Sequence, residues 1–321
     1  MSEPAIRVES LSKRFGGLVA LDGIDLQVDE GTVFGLLGPN GAGKTTAVRA
    51  LATILKPDGG HAEVLGCDVV RDPAAVRRRI GLAGQYAAVD PNLTGRENLR
   101  MVGVLGQLPR SAISRRADEL LERFTLSDAA DRPLRTYSGG MRRRLDIAAS
   151  LVPTPPVLFL DEPTTGLDLT SRNELWKMIR ELVDDGTTVL LTTQYLEEAD
   201  QLAGRVAVID GGRVIANDTP GKLKADLVDT VVEMDFVDDQ IAQRAHSLLG
   251  GDGVGAVERE GTTVRVSSNV GARVLVEVLR RFDEGGVEPD TLSVREPSLD
   301  DVFLALTGHR AASETATGDA A

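Results

Sequence analysis

The chain has 321 residues, 42% of them hydrophobic and 26% charged, which suits one large or two ordinary globular domains. Its single cysteine, Cys67, excludes an internal disulfide and favours a reducing compartment. The start, MSEPAIRVES, has no apolar run, so no signal peptide is expected, and no apolar stretch approaches the ~18–20 residues that a membrane helix requires. We therefore expect contact with a membrane only peripherally or through a partner.

The formal net charge of −13 is unevenly distributed along the chain. Residues 1–225 hold 28 basic and 30 acidic residues, whereas residues 226–321 hold 8 and 19. This shift predicts a first domain at 1–225 and an acidic accessory domain at 226–309. It argues against a nucleic-acid partner for the C-terminal part, because phosphate binding requires the opposite charge. Residues 310–321, small and polar, are predicted to be a disordered tail.

In chain order, residues 5–37 read as short strands and turns, ending in the apolar run TVFGLL that suits a buried strand. A helix is predicted after it, from Lys44 to Leu55, with an apolar face that includes Leu51 and Ile54. The residues between and into that helix fit the phosphate-binding pattern G-x-x-x-x-G-K-[ST]. They are Gly38, Pro39, Asn40, Gly41, Ala42, Gly43, Lys44, Thr45 and Thr46.

This strand, turn and helix together predict a triphosphate site. The glycines let the backbone wrap a polyphosphate, and the amide N–H groups and the helix N-terminus then point at negative charge. Lys44 can reach the β- and γ-phosphates, and the Thr45 hydroxyl can ligate Mg²⁺. A glycine turn without a ligand is the alternative.

Farther along, a short strand at 80–84 leads to Gln85, and apolar residues then recur at helical spacing from about 91 to 152. The pattern predicts a helical insert in an otherwise α/β domain. The next apolar strand ends in two carboxylates, Asp161 and Glu162. Ligand groups lie at the carboxyl ends of strands in open parallel sheets. Asp161 can therefore hold Mg²⁺ opposite Thr45, and Glu162 can orient or deprotonate an attacking water.

Five motifs in this order resemble the ATP-binding cassette (ABC) family over roughly residues 5–222. They are the phosphate-binding loop, Gln85, Ser138-Gly139-Gly140, the strand ending in Asp161-Glu162, and Gly166-Leu167-Asp168. The resemblance implies a P-loop NTPase fold that binds ATP and Mg²⁺.

The family resemblance also implies a role for each matching residue. Phe15 would stack on adenine, and Gln85 would sense Mg²⁺ and the γ-phosphate and relay that state to a membrane partner. The segment Ser138-Gly139-Gly140 would close on the ATP bound by a second copy of the chain, so that two copies sandwich two ATP molecules head to tail. Asp168 would belong to the loop that crosses the dimer seam.

The sequence departs from the family pattern at two places. Tyr137 and Met141 flank Ser138-Gly139-Gly140 where Leu and Gln are usual, which leaves the phosphate-contacting residues intact. Gln194 stands where the family usually has His. It can hydrogen-bond a γ-phosphate or Glu162, but it cannot carry a proton near neutral pH. We expect ATP binding with slow but real hydrolysis.

Three segments, 192–200, 209–216 and 296–308, are similar to the daunorubicin/doxorubicin-resistance ATP-binding subunits of drug exporters. The resemblance implies a homodimeric ATPase subunit, cytoplasmic and peripheral on the inner face of the cell membrane, that powers a separate membrane permease. A lipid or glycan exporter and an importer remain alternatives. A soluble cassette ATPase acting on DNA or ribosomes is disfavoured, because only 94 positions separate Lys44 from Ser138 and the chain holds one cassette. Nothing in the sequence specifies the transported molecule.

The C-terminal region is predicted to be a small α+β unit of the ferredoxin-like, split βαβ type. The regulatory role that it could have, and a purely stabilising role, both remain open. Its predicted strands are Val231–Val237, Val254–Glu258, Thr262–Ser267 and Thr291–Glu296, and its predicted helices are Asp239–Leu249, Ala272–Phe282 and Leu299–Leu306.

Overall fold

The computed structural model describes residues 3–84, 89–227, 230–250, 254–268 and 273–295, together with residues 298, 299, 302, 303 and 306. The chain separates into two units, Met1–Asn217 and Asp218–Ala321. The boundary between these two units therefore lies a few residues before residue 225, where the charge of the chain changes.

The first unit alternates strands and helices, as expected for an α/β fold. In chain order its elements are β1 (Ile6–Phe15), β2 (Leu18–Val28), β3 (Val33–Leu37), α1 (Lys44–Leu51), β4 (Gly59–Val64), β5 (Cys67–Asp68), α2 (Pro73–Arg77), β6 (Ile80–Ala83), α3 (Gly95–Leu105), α4 (Arg110–Arg123), α5 (Gly139–Ser150), β7 (Val157–Asp161), α6 (Leu169–Asp184), β8 (Thr188–Thr193), α7 (Leu196–Leu202), β9 (Arg205–Asp210) and β10 (Arg213–Asp218).

Two sheets build the first unit. One is antiparallel, in the order β2-β1-β4-β5, and the other has the order β10-β9-β3-β8-β7-β6, with β9, β3, β8, β7 and β6 parallel. Strands β3, β7 and β8 are buried at every residue, as expected of parallel strands that are covered on both faces. Helix α1 contacts strands of both sheets, and one apolar core joins all three.

The register of the parallel sheet brings the ends of its central strands together. Thr192 of β8 pairs with Leu36 of β3 on one side and with Asp161 of β7 on the other. The loop after β3 and the carboxylates that end β7 therefore share one edge of the sheet, which is where ligands bind in folds of this class.

Helix α1 ends at Leu51 and not at Leu55, so the predicted end of this helix is wrong. Thr53 adopts a left-handed conformation with φ of 62°, which an α-helix cannot continue through. Ile54, expected on the buried face, is 63% exposed as a result. The chain turns here toward β4, and the N–H of Asp58 donates to the carbonyl of Ser12.

Three helices, α3, α4 and α5, occupy the region predicted as a helical insert. Helix α3 begins with a reciprocal capping box between Thr94 and Glu97, which satisfies two backbone N–H groups at its start. Helices α3 and α4 pack on each other and both contact α5. These contacts hold α5 in place within the insert. The Ser138-Gly139-Gly140 segment lies at the start of this helix.

The second unit contains α8 (Pro220–Leu227), β11 (Thr230–Asp235), α9 (Asp239–Leu249), β12 (Ala256–Glu260), β13 (Thr263–Ser268), α10 (Arg273–Gly285) and β14 (Thr291–Arg295). After α8, its βαββαβ order forms an antiparallel sheet in the order β12-β13-β11-β14, which is the arrangement of a split βαβ unit. Phe236 and Phe282 meet edge to face in its core, with ring centroids 5.8 Å apart.

Two predictions for the C-terminal end cannot be compared with the structure in full. The tail at 310–321 lies outside the described residues, and only four positions of the helix predicted at Leu299–Leu306 lie within them. Among the helices that the structure describes, none has the length and apolar character needed to cross a bilayer.

Candidate functional site

The loop between β3 and α1 contains two glycines, Gly38 and Gly43, at which a side chain would clash with neighbouring backbone. A Cβ on Gly38 would lie 2.2 Å from the carbonyl oxygen of Ile209, and one on Gly43 would lie 2.4 Å from that of Ala20. Gly43 also has a φ of 112°, outside the range of residues with a side chain. The loop is therefore held close against the neighbouring backbone, and it leads directly into the N-terminus of α1.

Lys44, the first residue of α1, folds its side chain back over the loop. Its Nζ donates to the carbonyl oxygens of Gly38 at 2.7 Å and Pro39 at 3.0 Å, and it lies 3.7 Å from Glu162 Oε1. Burial lowers the pKa of Lys44, whereas the negative charges of Glu162 and Asp161 act in the opposite direction. The site thus places one buried cation between a glycine-rich loop and two carboxylates.

Asp161 is held at the end of β7 by two hydroxyl groups. Thr45 Oγ1 donates to Asp161 Oδ1 at 3.1 Å, and Thr192 Oγ1 donates to the same oxygen at 2.6 Å. The structure therefore brings Thr45 and Asp161 together, as the sequence predicted. A hydroxyl and a carboxylate at this spacing are the oxygen ligands that Mg²⁺ takes beside phosphates, so these residues fit that ion.

Glu162 adopts an unusual backbone conformation, with a φ of 50° in the left-handed region. Its N–H donates to both the carbonyl oxygen and the Oγ1 of Thr192, each at 3.1 Å, which fixes that conformation. Its carboxylate faces Lys44 through Oε1 and accepts from Thr165 Oγ1 at 3.4 Å through Oε2. A non-glycine residue held in this region marks a position where the surroundings determine the backbone.

These groups line a cleft of about 240 Å³. Its residues include Phe15, Leu18, Asn40, Lys44, Thr45 and Glu162. Phe15 is 48% exposed at one end of the cleft, with Lys13 Nζ 5.6 Å from its ring centroid. The cleft therefore offers an open aromatic face, the glycine-rich loop, the Lys44 cation and the Glu162 carboxylate, and Asp161 lies behind its wall, hydrogen-bonded to Thr45. These groups together fit a nucleotide with its phosphates.

The segment Ser138-Gly139-Gly140 lies at the start of α5. Ser138 is the N-cap, and its hydroxyl accepts from the N–H of Met141 at 3.2 Å. Ser138 and Gly139 are exposed, and no described atom lies within 4 Å of a Cβ built on Gly139. An exposed helix N-terminus of this kind is able to receive an anion from outside the chain.

Asp168 forms the N-cap of α6 and lies close to the start of α5. It accepts from the N–H of Ser171 at 2.8 Å and from its Oγ at 3.3 Å, and the bond from the Ser171 N–H is the main cause of a lowered pKa of Asp168. A Cβ on Gly140 would lie 2.7 Å from Ser171 Oγ. Within one chain, Asp168 is therefore linked through Ser171 to the glycine pair at the start of α5.

The two remaining predicted residues have different outcomes. Gln194 follows β8 directly and is half-buried; the preceding Thr193 pairs with Leu37, the residue before the loop. Gln194 thus lies at the same edge of the sheet as Glu162. Gln85 lies outside the described residues.

Sequence reasoning missed three buried polar residues beside the site, namely Thr192, Arg143 and Glu198. Thr192 and Glu198 have no accessible surface, and the side chain of Arg143 is 10% exposed. Each makes at least one contact to a residue that is distant along the chain. The only signal in the sequence was a polar residue within an otherwise apolar or helical run.

The comparisons with known proteins agree with this geometry. Residues 21–165 match the family model described as ABC transporter. The chain is 56% identical, over 95% of its length and 96% of the relative's, to the daunorubicin resistance ATP-binding protein DrrA2 of Streptomyces coeruleorubidus. It is 53% identical, over 96% of its length and 93% of the relative's, to the daunorubicin/doxorubicin resistance ATP-binding protein DrrA of Streptomyces peucetius.

Solved structures resemble about two thirds of the chain. The cbiO1 protein of Clostridium perfringens, part of the ABC transporter complex cbiONQ, matches with a TM-score of 0.65 and 29% identity over 70% of this chain and 92% of that one. The ATP-binding cassette MJ0796, in a dimeric post-hydrolysis state bound to ADP and Pi, matches with a TM-score of 0.61 and 25% identity over 67% of this chain and 98% of that one.

Proposed function

Since the chain belongs to the ABC transporter ATPases, in the subfamily of daunorubicin/doxorubicin-resistance ATP-binding proteins, we propose that it binds and hydrolyses Mg·ATP to power export through a separate membrane permease. The observation that carries this proposal is the meeting of Lys44, Thr45 and Glu162 in the cleft that Phe15 also lines, with Asp161 hydrogen-bonded to Thr45.

Different residues of the cleft would bind different parts of ATP. The loop N–H groups, the N-terminus of α1 and Lys44 would hold the phosphates, and Phe15 would stack on the base. Thr45 and Asp161 would hold Mg²⁺, which when bound neutralises charge on the phosphates. Glu162 would orient or deprotonate the attacking water, with Gln194 as a hydrogen-bonding neighbour.

The exposed start of α5 supports a site shared between two copies of the chain. Ser138 and Gly139 present an open helix N-terminus, so this segment can accept the γ-phosphate of ATP held by another copy. Asp168, linked to Gly140 through Ser171, would lie near that seam. A dimer with the same cassette fold among the solved structures makes this arrangement reasonable.

A drug is the proposed cargo class, and the permease would hold the chain at the inner face of the cell membrane. The relatives that are 52–56% identical are named for daunorubicin or doxorubicin resistance, whereas a Nod factor export ATP-binding protein of Ralstonia nicotianae is 40% identical. The higher identity favours a drug over a glycan-type signal as cargo. Gln85 and the helical insert are the proposed contacts to the permease.

Purified full chain tests the ATPase proposal directly. Lys44→Met is expected to weaken binding of a fluorescent ATP analogue by about 10- to 100-fold, because it removes a charge-assisted contact to phosphate. Glu162→Gln is expected to bind nucleotide at least as well as the parent chain and to lose at least about 100-fold in turnover. Lys177→Met and Glu181→Gln, both on the exposed face of α6, are the matched controls.

Unchanged turnover in Glu162→Gln would remove Glu162 as the base, and unchanged binding in Lys44→Met would remove the loop as the phosphate site. The cargo is tested separately. The chain expressed together with a membrane permease that co-purifies with it should raise the daunorubicin concentration that a sensitive host survives, and Glu162→Gln should abolish that gain. Resistance that is independent of Glu162 would contradict drug export by this ATPase.

A further inference from the structure

Arg143, one turn into α5, reaches out of its helix to three separate backbone segments. Its Nη1 donates to the carbonyl oxygen of Gly84 at 2.5 Å, its Nε to that of Pro163 at 2.9 Å, and its Nη2 to that of Asp161 at 3.0 Å. These carbonyls belong to the residue after β6, the segment after β7 and the last residue of β7. One buried side chain therefore joins α5 to the ends of two parallel strands.

Asp146, one turn farther along α5, anchors the guanidinium group. Arg143 Nη1 lies 3.2 Å from Asp146 Oδ2, and the Asp146 side chain is 2% exposed. Burial lowers the pKa of Arg143, and the negative charges of Asp146 and Asp161 act in the opposite direction. Because an arginine stays charged in proteins, this buried cation is tolerated only where its donors are satisfied.

The geometry of the guanidinium makes these contacts specific. Its donors lie in one plane at fixed angles, so three carbonyls from different segments can be reached together only for one placement of α5. A lysine carries the same charge but has no such fork. If the start of α5 shifts, Arg143 therefore loses hydrogen bonds to the strand ends.

We propose that Arg143 is a positioning residue that couples the Ser138-Gly139-Gly140 segment to the ends of β6 and β7, where Gly84 and Asp161 lie. This proposal rests on the proposed function, in which that segment engages ATP held by a second copy. In each chain, Arg143 makes the position of the Ser138-Gly139-Gly140 segment depend on the state of that chain's own nucleotide site. The position of the segment then determines how well it meets the ATP held by the second copy. Loss of the link should therefore impair formation of the ATP-bound dimer while sparing nucleotide binding to the single chain.

The test uses the full chain with Glu162→Gln as the parent, so that ATP is not consumed. Arg143→Gln and Arg143→Lys are compared with Arg142→Gln, which removes the same charge one residue away on the exposed face of α5. Among the hydrogen bonds that the structure describes for the Arg142 side chain, the one contact is to the Arg135 carbonyl. Binding of a fluorescent ADP analogue is measured first. The ATP concentration that gives half-maximal dimer is then measured by size-exclusion chromatography with light scattering.

Arg143→Gln is expected to bind the ADP analogue within about twofold of the parent and to need at least about tenfold more ATP for dimer formation. Arg143→Lys should shift in the same direction by less, and Arg142→Gln should match the parent. Asp146→Asn, which keeps the shape of the anchor, should resemble Arg143→Lys and serves if Arg143→Gln fails to fold.

Two results would overturn the proposal. One is dimer formation by the folded Arg143 and Asp146 variants at the parent's ATP concentration. The other is an equal loss of ADP binding and dimer formation, which would indicate general damage to the fold. If the parent itself binds ATP but forms no dimer at any ATP concentration, the shared site of the proposed function fails instead.

Discussion

The indole Nε1 of Trp176 donates a hydrogen bond to Glu198 Oε1 at 3.2 Å, and Glu198 is completely buried. Within the part of the chain that the structure describes, Glu198 Oε2 and the nearby Thr164 Oγ1 both lack hydrogen-bond partners. Burial raises the pKa of Glu198, although the hydroxyl of Thr193 and the Trp176 indole favour its charged form. The Thr164 hydroxyl and the charge of Arg172 act in the same direction as Thr193 and Trp176, but burial is the largest effect and the pKa of Glu198 is raised overall.

Glu198→Gln tests this conclusion through the pH dependence of stability. A carboxyl whose pKa is raised in the folded state contributes stability below its ordinary value of 4.5, and that contribution is lost as the pH rises through the folded pKa. Glutamine keeps the acceptor for Trp176 and cannot ionise. We expect the melting temperature of the variant, relative to the parent, to rise by about 2–4 °C between about pH 5 and pH 8.

Thermal unfolding followed by circular dichroism gives this difference, with Glu197→Gln, on the exposed side of the same helix, as the control. A difference in melting temperature that stays constant over that pH range would mean that Glu198 has no raised pKa.

Thr192→Val removes a hydroxyl and keeps the shape of the side chain. The Asp161 carboxylate loses its shorter hydrogen bond, and the N–H of Glu162 keeps only the Thr192 carbonyl. We expect a loss of about 1–3 kcal/mol in the free energy of unfolding, together with reduced ATP turnover. Thr188→Val, at the other end of β8, removes one hydroxyl that accepts from Gly31 and should lower stability without a selective loss of turnover. Equal effects of both variants on turnover would contradict a role of Thr192 in placing the carboxylates.

Gly140→Ala should destabilise the chain because of one contact. The new Cβ would meet Ser171 Oγ at 2.7 Å, and overpacking of this kind costs about 1–3 kcal/mol. Gly139→Ala places its Cβ in open space and should leave the unfolding free energy nearly unchanged. Ser171→Gly, combined with Gly140→Ala, should restore most of the loss in a double-mutant cycle measured by urea denaturation. Additive effects of the two substitutions would exclude Ser171 as the cause.

Gln194→His introduces a group that can transfer a proton at the end of β8. If proton transfer limits turnover, hydrolysis by the purified chain should increase at least about tenfold near pH 7 and fall as the pH drops through about 6.5. Gln194→Ala, which removes the hydrogen bond altogether, should lower turnover. Equal rates for the histidine variant and the parent at every pH would show that the glutamine already supports the limiting step.

The sequence predicted the parts of the site that depend on local pattern. The strand, glycine turn and helix around Lys44 follow from the spacing of residue types, and the carboxylates at Asp161 follow from the end of an apolar run. The α/β fold class is confirmed by the family and the solved structures. Helix α9 begins and ends at the predicted residues, because Asp238 is an effective N-cap directly before an amphipathic stretch.

The remaining features depend on contacts between segments that are distant along the chain. Arg143 reaches the carbonyl of Gly84 across 59 positions, and Thr192 reaches Asp161 across 31. No local pattern reports such pairs, because each residue alone reads as an ordinary helical arginine or strand threonine. The end of α1 was missed for a related reason: the left-handed Thr53 is imposed by the return of the chain to β4, which helical periodicity does not encode.

The inward fold of Lys44 has a consequence for how nucleotide affinity should be interpreted. Its ammonium group already has internal partners, two carbonyls and Glu162, so an arriving phosphate must compete with them and the measured affinity reflects an exchange. Replacing Glu162 by glutamine removes one competitor and leaves the cation with less internal neutralisation. That variant is expected to hold nucleotide more tightly for an electrostatic reason that is separate from blocked turnover. Equilibrium binding of ADP measures this electrostatic effect alone, because ADP has no γ-phosphate to cleave.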